Sequence, residues 1–203
     1  MVLDKYRHTV DCFLAPVAKR LPTTDPNMIT LVSLVFAFLG GLSLYLSQQI
    51  LLLFAFVLIF SNSYLDALDG KVAKIHGKET KRGDFLDHVG DRYADLFVLI
   101  GISFSEYCTE WIGFFAVTGV LMTSYMGTQA QALGIGRVYS GLLARVDRQV
   151  ILMAAIVLQY LAISAGYAEI YGFSVLEYMM LWFALAGNIT ALHRAAKIWI
   201  GLK

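Results

Sequence analysis

Six apolar runs dominate this sequence and limit what it can fold into. They cover residues 28–47, 50–68, 88–105, 110–132, 149–168 and 174–192. Each is close to the ~20 residues that a helix needs to cross about 30 Å of hydrocarbon. Of all residues, 58% are hydrophobic and 15% are charged, whereas soluble domains are nearer half apolar and a quarter charged. The sequence therefore predicts an all-α integral membrane protein with six transmembrane helices.

The basic residues predict how this protein is oriented. All sixteen Lys and Arg residues lie in four segments, residues 5–20, 71–92, 137–148 and 194–203. With six spans, these segments share one side of the membrane, and the opposite loops carry acidic residues without Lys or Arg. An excess of Lys and Arg marks cytoplasmic loops. We expect a multi-pass protein of the cell (plasma) membrane whose two termini face the cytoplasm.

The first 25 residues precede the apolar runs and have their own pattern. Their apolar residues recur at near-helical spacing: Leu3, Tyr6, Val10, Phe13, Leu14 and Val17. Flanking basic residues make this typical of an amphipathic helix on an anionic leaflet, although a soluble cap helix would show the same spacing. We predict a single domain over residues 1–203, in which an interfacial helix (1–25) precedes a six-helix bundle (26–203).

Four carboxylates lie at the cytoplasmic ends of the second and third runs. Asp66 and Asp69 are three residues apart, and Asp87 and Asp91 are four apart, so each pair shares a helix face. The short polar loop at 76–82 predicts that the two helices are antiparallel neighbours. Four clustered carboxylates repel one another unless a cation compensates them, and oxygen ligands without His or Cys suit hard ions. The residues alone suit Mg²⁺, Mn²⁺ or Ca²⁺ rather than zinc, and four carboxylates could hold two such ions.

Small and basic residues surround these carboxylates. Gly70 and Ala73 would let a ligand approach the backbone closely. Lysines and an arginine between residues 71 and 82 supply positive charge suited to phosphate groups. Taken alone, such lysines are an ordinary signal of membrane orientation, which is how we interpret Lys78 and Lys81. Asp84 is placed to cap the third helix.

The motif that contains these carboxylates resembles the signature of the CDP-alcohol phosphotransferase (CDP-alcohol phosphatidyltransferase) family. It reads Asp66-x2-Asp69-Gly70-x2-Ala73-Lys74-x8-Gly83-x3-Asp87-x3-Asp91. Every Asp, both Gly and every gap match. Lys74 stands where the family usually has Arg, so the charge is kept and the bidentate fork is lost. The six-span layout extends the likeness to nearly the whole chain.

The resemblance implies a reaction and its residues. Such enzymes transfer a substituted phosphate from a CDP-linked lipid to an alcohol and release CMP. The implied ligands of two divalent cations, Mg²⁺ or Mn²⁺, are Asp66, Asp69, Asp87 and Asp91, and Asp91 would also be the catalytic base for the acceptor hydroxyl. The implied CDP-lipid-binding residues are Asn27, Thr30, Asp66, Gly70, Ala73, Lys74, Thr80 and Gly83. Proteins resembling this one are homodimers, so we expect a second copy as partner, and no nucleic acid.

Further residues resemble the branch that makes phosphatidylinositol phosphate, whose archaeal members make the archaeol-based equivalent. They are Ser124, Arg145, Arg148 and Arg194. In that branch, basic residues near these positions bind the phosphate of inositol 1-phosphate, and guanidinium groups suit that task. Gly127 and Gln129 stand where that branch often has more basic residues. Glycerol 3-phosphate or another alcohol stays open as acceptor, as does an ester or an ether lipid as donor.

A cation- or proton-coupled transporter is the alternative from another functional class. Carboxylates in membrane helices also carry ions, typically near the bilayer midplane and in broken helices. The predicted position of the carboxylates at helix ends favours the enzyme.

Overall fold

The structure, a computed structural model, describes residues 14–136 and 145–202. In those ranges it is all-helical, and a short helical stretch at residues 14–19 precedes six long helices. The long helices are α1 (Pro26–Tyr45), α2 (Gln49–Ile75), α3 (Lys81–Ser103), α4 (Glu110–Ala132), α5 (Arg145–Ser164) and α6 (Val175–Gly201). Of the predicted interfacial helix over 1–25, residues 1–13 lie outside the described residues.

Most of the long helices have the length and apolar character of membrane spans. Five qualify, namely α1, α2, α4, α5 and α6, so this is a multi-pass membrane protein. The remaining long helix, α3, is much more polar because its charged residues crowd the half between Lys81 and Asp95. The predicted six long helices are therefore present, and five of them qualify as spans by composition.

Local chemistry decides where the first and third helices begin. The Asp25 carboxylate caps α1 by accepting a hydrogen bond from the Asn27 N–H at 2.9 Å. The Thr80 hydroxyl caps α3 by accepting from the Gly83 N–H at 3.0 Å. The prediction that Asp84 caps the third helix is wrong, because Thr80 already satisfies that end. Asp84 lies in the first turn instead, where a negative charge is favourable.

The end of α2 is tied to the segment before α1. The helix continues past the apolar run to Ile75 and stops before Gly77, which has a φ of 61°. A ring nitrogen of His76 lies 2.9 Å from the Ala18 carbonyl oxygen. The Lys78 ammonium donates to the Pro22 carbonyl at 2.7 Å and to the Thr24 carbonyl at 2.9 Å. These contacts hold the loop after α2 beside the start of α1.

The packing of the first three helices differs from the prediction. α1 packs extensively against both α2 and α3, whereas α2 and α3 do not pack extensively against each other. The short loop therefore does not make α2 and α3 close neighbours. Instead α1 lies against both, and the carboxylates project into the space between α2 and α3.

Two glycine contacts bring helix backbones together. A Cβ atom on Gly101 of α3 would overlap the backbone of Gly41 on α1. A Cβ atom on Gly187 of α6 would lie 2.8 Å from the carbonyl carbon of Gly119 on α4. Small residues permit such close approach of membrane helices. The pairs α1–α3 and α4–α6 are therefore joined backbone to backbone.

We expect the substitution Gly101→Ala to destabilise the protein by roughly 1–3 kcal/mol, the usual cost of overpacking. The new methyl group would have to push α1 and α3 apart. Gly70→Ala is the matched control, because a Cβ atom there has no neighbour within 4 Å and Ala favours a helix over Gly. Thermal unfolding in detergent compares the two variants. Equal melting temperatures would contradict the close contact between α1 and α3.

Candidate active site

Three of the four predicted carboxylates meet at one place. Carboxylate oxygen atoms of Asp66 on α2 and of Asp87 and Asp91 on α3 all lie within 4.8 Å of one another. The four-residue spacing puts Asp87 and Asp91 on one face of α3, as predicted. We call these three residues the carboxylate cluster.

Asp69, the fourth predicted ligand, has a different partner. Its side chain is buried, with 4% of the residue exposed, and its Oδ2 accepts a 2.5 Å hydrogen bond from the Thr30 hydroxyl on α1. Asp69 is therefore outside the carboxylate cluster. It links α2 to α1 beside that cluster.

Two arginines contact the carboxylate cluster. Arg145, at the start of α5, donates from Nη1 to Asp66 Oδ2 at 3.1 Å and from Nη2 to Asp66 Oδ1 at 3.2 Å. The same Nη2 also contacts Asp91 Oδ1. On the other side, Arg92 Nη2 lies 3.3 Å from Asp91 Oδ2. The sequence did not predict that Arg145 would lie on the cluster.

The carboxylate cluster fits a divalent cation. Two of its three carboxylates, Asp66 and Asp91, contact a total of two guanidinium groups, so negative charge remains when all are ionised. Asp91 Oδ1 is buried and is paired with Arg145 Nη2 without a hydrogen bond of good geometry. The ligands are carboxylate oxygens, which suit Mg²⁺ and Mn²⁺.

A pocket adjoins the carboxylate cluster and shares Asp87 with it. It has about 600 Å³ of empty space, and it lies among the start of α1, the end of α2 and the start of α3, so we call it the α1–α3 pocket. Six of the predicted CDP-lipid-binding residues line it: Asn27, Thr30, Gly70, Ala73, Thr80 and Gly83. Asp66 belongs to the carboxylate cluster instead, and Lys74 is exposed and does not line the pocket.

The α1–α3 pocket carries both signs of charge. Four acidic residues line it, namely Asp69, Glu79, Asp84 and Asp87, so an anion would need bound cations there. Two features nevertheless favour an anion in this pocket. The N-terminal ends of α1 and α3 both border it, and helix N-termini carry partial positive charge and unsatisfied N–H groups. Lys78 also lines it. Our interpretation of Lys78 as an orientation signal missed this position. Lys78 lies between the two halves of the motif, residues 66–74 and 83–91, and this position could have indicated that it lines the pocket.

The sequence matches a known family. Residues 23–190 match the family model described as CDP-alcohol phosphatidyltransferase. The archaetidylinositol phosphate synthase of Pyrococcus horikoshii is 32% identical over 156 residues, which cover 76% of this chain and 81% of that protein. The chain belongs to the CDP-alcohol phosphatidyltransferase family.

Further comparisons agree with this assignment. The archaetidylinositol phosphate synthase of Methanothermobacter thermautotrophicus is 29% identical over 202 residues, covering 100% of this chain and 96% of that one. A crystal structure of Mycobacterium tuberculosis phosphatidylinositol phosphate synthase with CDP-DAG bound has the same fold, with a TM-score of 0.75, 21% identity and coverage of 92% and 93%. Another structure of that synthase, in complex with manganese and citrate, also has a TM-score of 0.75, with 21% identity and coverage of 92% and 88%.

The family assignment confirms the resemblance found in the motif. As a CDP-alcohol phosphatidyltransferase, the protein is a membrane-bound, metal-binding transferase of phospholipid biosynthesis. Family membership also favours the enzyme over the transporter.

The two other predicted acceptor arginines of this CDP-alcohol phosphatidyltransferase, Arg148 and Arg194, are buried outside the carboxylate cluster. Arg148 on α5 is 5% exposed, and its Nη2 lies 2.7 Å from Asp95 Oδ2. Arg194 on α6 is 9% exposed, and its Nη1 donates to the Thr123 carbonyl at 2.7 Å. The positive charges of Arg148 and Arg194 repel each other. Ser124 follows Thr123 on α4 and is half-buried.

Small and polar residues surround these two arginines. A Cβ atom on Gly127 would lie 3.3 Å from Arg194 Nη1, so the glycine leaves room at that guanidinium. Arg148 and Asp95 also line a second, small cavity together with Asn62 and Gln149. Arg148 thus borders a small cavity one turn of α3 beyond Asp91.

Proposed function

We propose that this enzyme transfers a phosphatidyl or archaetidyl group from a CDP-linked lipid to the hydroxyl group of inositol 1-phosphate and releases CMP. The observation that carries the proposal is that the carboxylate cluster adjoins a pocket lined by six residues of the CDP-alcohol motif and its upstream segment. The cluster shares Asp87 with that pocket and contacts Arg145, one of the predicted acceptor residues.

The α1–α3 pocket would hold the CDP part of the donor. Its two helix N-termini and Lys78 complement the negative charge of a pyrophosphate. Gly70 leaves open space beside α2, so the donor can approach that backbone closely. The M. tuberculosis relative, which was crystallised with CDP-DAG bound, supports a CDP-lipid as the donor.

The carboxylate cluster, with Asp69 beside it, would hold two divalent cations, Mg²⁺ or Mn²⁺. When bound, such ions neutralise the pyrophosphate and stabilise the departing CMP. Asp66 and Asp87 approach this place from different helices, so they would fix the ions relative to the α1–α3 pocket. The manganese named for the M. tuberculosis relative supports the choice of metal.

Asp91 would act as the catalytic base. Its carboxylate takes the proton of the acceptor hydroxyl, whose oxygen then forms a bond to the phosphorus next to the lipid. The bond from that phosphorus to the oxygen of the leaving CMP breaks, and CMP keeps the electron pair. Arg145 Nη2 contacts Asp91 Oδ1, so this oxygen can accept a proton only when that guanidinium has moved away.

The acceptor phosphate would lie against Arg148 and Arg194, with Arg145 and Ser124 on its sides. Guanidinium groups bind phosphate through paired hydrogen bonds. The names of the archaeal relatives support inositol 1-phosphate as the acceptor. Glycerol 3-phosphate is the second candidate, because three arginines favour any phosphorylated alcohol over serine.

We also propose that α3 is the sixth membrane span and that the site faces the cytoplasm. The Glu106 N–H donates to the Ser47 hydroxyl at 2.9 Å, and the Tyr107 hydroxyl donates to the Ser47 carbonyl at 2.9 Å. The loops at the far ends of α1 and α3 therefore meet, so α3 extends across the same thickness as α1. The basic residues at the end of the bundle that holds the site favour the cytoplasmic side for that end. As a separate point, we propose that the protein assembles as a homodimer.

We expect Gly70→Ala to raise the KM for the CDP-lipid by about tenfold without lowering stability. The added methyl group meets no protein atom within 4 Å, so only a bound ligand can collide with it, and a loss of this size is about 1.4 kcal/mol. Steady-state kinetics with varied donor measures the effect. An unchanged KM would place the donor away from α2.

CMP release from the purified protein tests the proposed function. The protein is given a CDP-lipid with ester or ether chains, Mg²⁺ or Mn²⁺, and one acceptor at a time. Release only with inositol 1-phosphate is the expected result. Release only with glycerol 3-phosphate would keep the mechanism and overturn the acceptor, and no release with any acceptor would overturn the proposal.

A further inference from the structure

Arg145 contacts the oxygen atoms that the proposed metal site needs. Its two terminal nitrogens lie 3.1 and 3.2 Å from the two oxygens of Asp66, and Nη2 also contacts Asp91 Oδ1. One guanidinium group therefore joins a carboxylate of α2 to a carboxylate of α3. It holds together two members of the carboxylate cluster that would otherwise repel each other.

A carboxylate oxygen directed at a guanidinium group cannot at the same time bind a metal ion in its first coordination sphere. Asp66 uses both of its oxygens on Arg145, and Asp91 uses Oδ1. We propose that Arg145 and the divalent cation compete for Asp66 and Asp91, so that Arg145 is the internal counter-ion of the metal-free enzyme. This inference rests on the metal site of the proposed function.

The surroundings of Arg145 allow its guanidinium group to leave the carboxylates when a cation binds them. Its Nε is buried and makes no hydrogen bond to the described residues, so the carboxylates of Asp66 and Asp91 hold the guanidinium in its place. The charge of Asp95, one turn further along α3, also attracts Arg145. Arg145 is the first residue of α5. A guanidinium released from the carboxylate cluster therefore has a negative charge nearby and lies on the side of the acceptor arginines.

Under this proposal Arg145 has two successive roles. Without metal, Arg145 compensates carboxylates that would be costly to leave unpaired at this depth. With metal bound, it is free to contact the acceptor phosphate, the role that the resemblance implies. The competition also predicts that metal binds less tightly than it would to the same carboxylates without Arg145.

Manganese binding to the full-length, metal-stripped protein tests the competition. Free Mn²⁺ is measured by electron paramagnetic resonance during a titration of wild type, Arg145→Gln and Arg194→Gln. We expect Arg145→Gln to bind Mn²⁺ at least about tenfold more tightly than wild type, because a nearby positive charge has been removed. Arg194→Gln is the matched control, since Arg194 bonds to the Thr123 carbonyl, and its affinity should equal that of wild type.

The outcomes separate this inference from the metal site itself. If wild type binds Mn²⁺ and Arg145→Gln binds it no more tightly, the competition is overturned and the metal site stands. If neither binds Mn²⁺, both are overturned. Arg145→Lys keeps the charge but not the fork, so we expect an affinity between those of wild type and Arg145→Gln.

A measurement on the unaltered protein covers the case in which a variant fails to fold. Phenylglyoxal modifies exposed guanidinium groups, and mass spectrometry reports the extent at each arginine. We expect Mn²⁺ to increase the rate of modification at Arg145 several-fold and to leave the rate at Arg194 unchanged. A rate at Arg145 that does not respond to Mn²⁺ would overturn the competition.

Discussion

Replacing Asp91 with Asn is expected to abolish CMP release while CDP-lipid binding remains. Asn has nearly the same shape, but it cannot take the proton of the acceptor hydroxyl and it is a weaker metal ligand. General base catalysis alone contributes about 10²–10⁴-fold, so we expect a loss of at least about a thousandfold. The measurement is CMP release at saturating donor and acceptor, together with equilibrium binding of the CDP-lipid.

Asp147→Asn is the control for this variant. Asp147 is half-buried and lies in the first turn of α5, outside the carboxylate cluster. Its variant should release CMP at close to the wild-type rate. Full activity of Asp91→Asn would exclude Asp91 as the base.

Removing divalent cations is expected to stop the reaction completely. The carboxylate cluster would then present only its own negative charge and two arginines to an anionic donor, and the departing CMP would lose its electrostatic stabilisation. CMP release should fall to background after chelation and return when Mg²⁺ or Mn²⁺ is added in excess.

The chelator must be shown to act through the metal. A parallel sample receives the same chelator already saturated with Mn²⁺, and it should keep its activity. Turnover that continues in protein shown by elemental analysis to be free of divalent cations would contradict a metal-dependent mechanism.

Spacing along single helices was the most reliable guide to this site. The interval between Asp87 and Asp91 predicted a shared face of α3, and the structure brings both to Asp66. Asp69 follows the same rule for α2, yet it bonds to Thr30 on α1 at 2.5 Å. Helical periodicity gives the direction of a side chain, but not which neighbouring helix is there to meet it.

Contacts between helices could not be predicted from the sequence. A short loop predicted that α2 and α3 would pack together, but Gly41 and Gly101 let α1 and α3 approach so closely that α1 packs against both. Arg145 is 79 residues from Asp66 in sequence, so no local pattern could place it on the carboxylate cluster. Such contacts depend on the three-dimensional packing.

The start of α3 also could not be predicted from the sequence alone. Thr80 and Asp84 are both residue types that favour the helix cap, and the apolar run begins only at residue 88. Composition therefore favoured the later start. The Thr80 hydroxyl decides the matter by bonding to the Gly83 N–H, and as a result Thr80 and Gly83 both line the α1–α3 pocket.

The glycine contacts indicate where the enzyme can be re-engineered. Helix α1 contacts α3, and α4 contacts α6, backbone to backbone at Gly101 and Gly187 among others. Substitutions at these glycines are therefore expected to destabilise the fold. α5 packs less extensively, against α2 and α6. It nevertheless carries Arg145 and Arg148. A directed-evolution library aimed at new headgroup alcohols therefore belongs on α5, where sequence can change at the least cost to the scaffold.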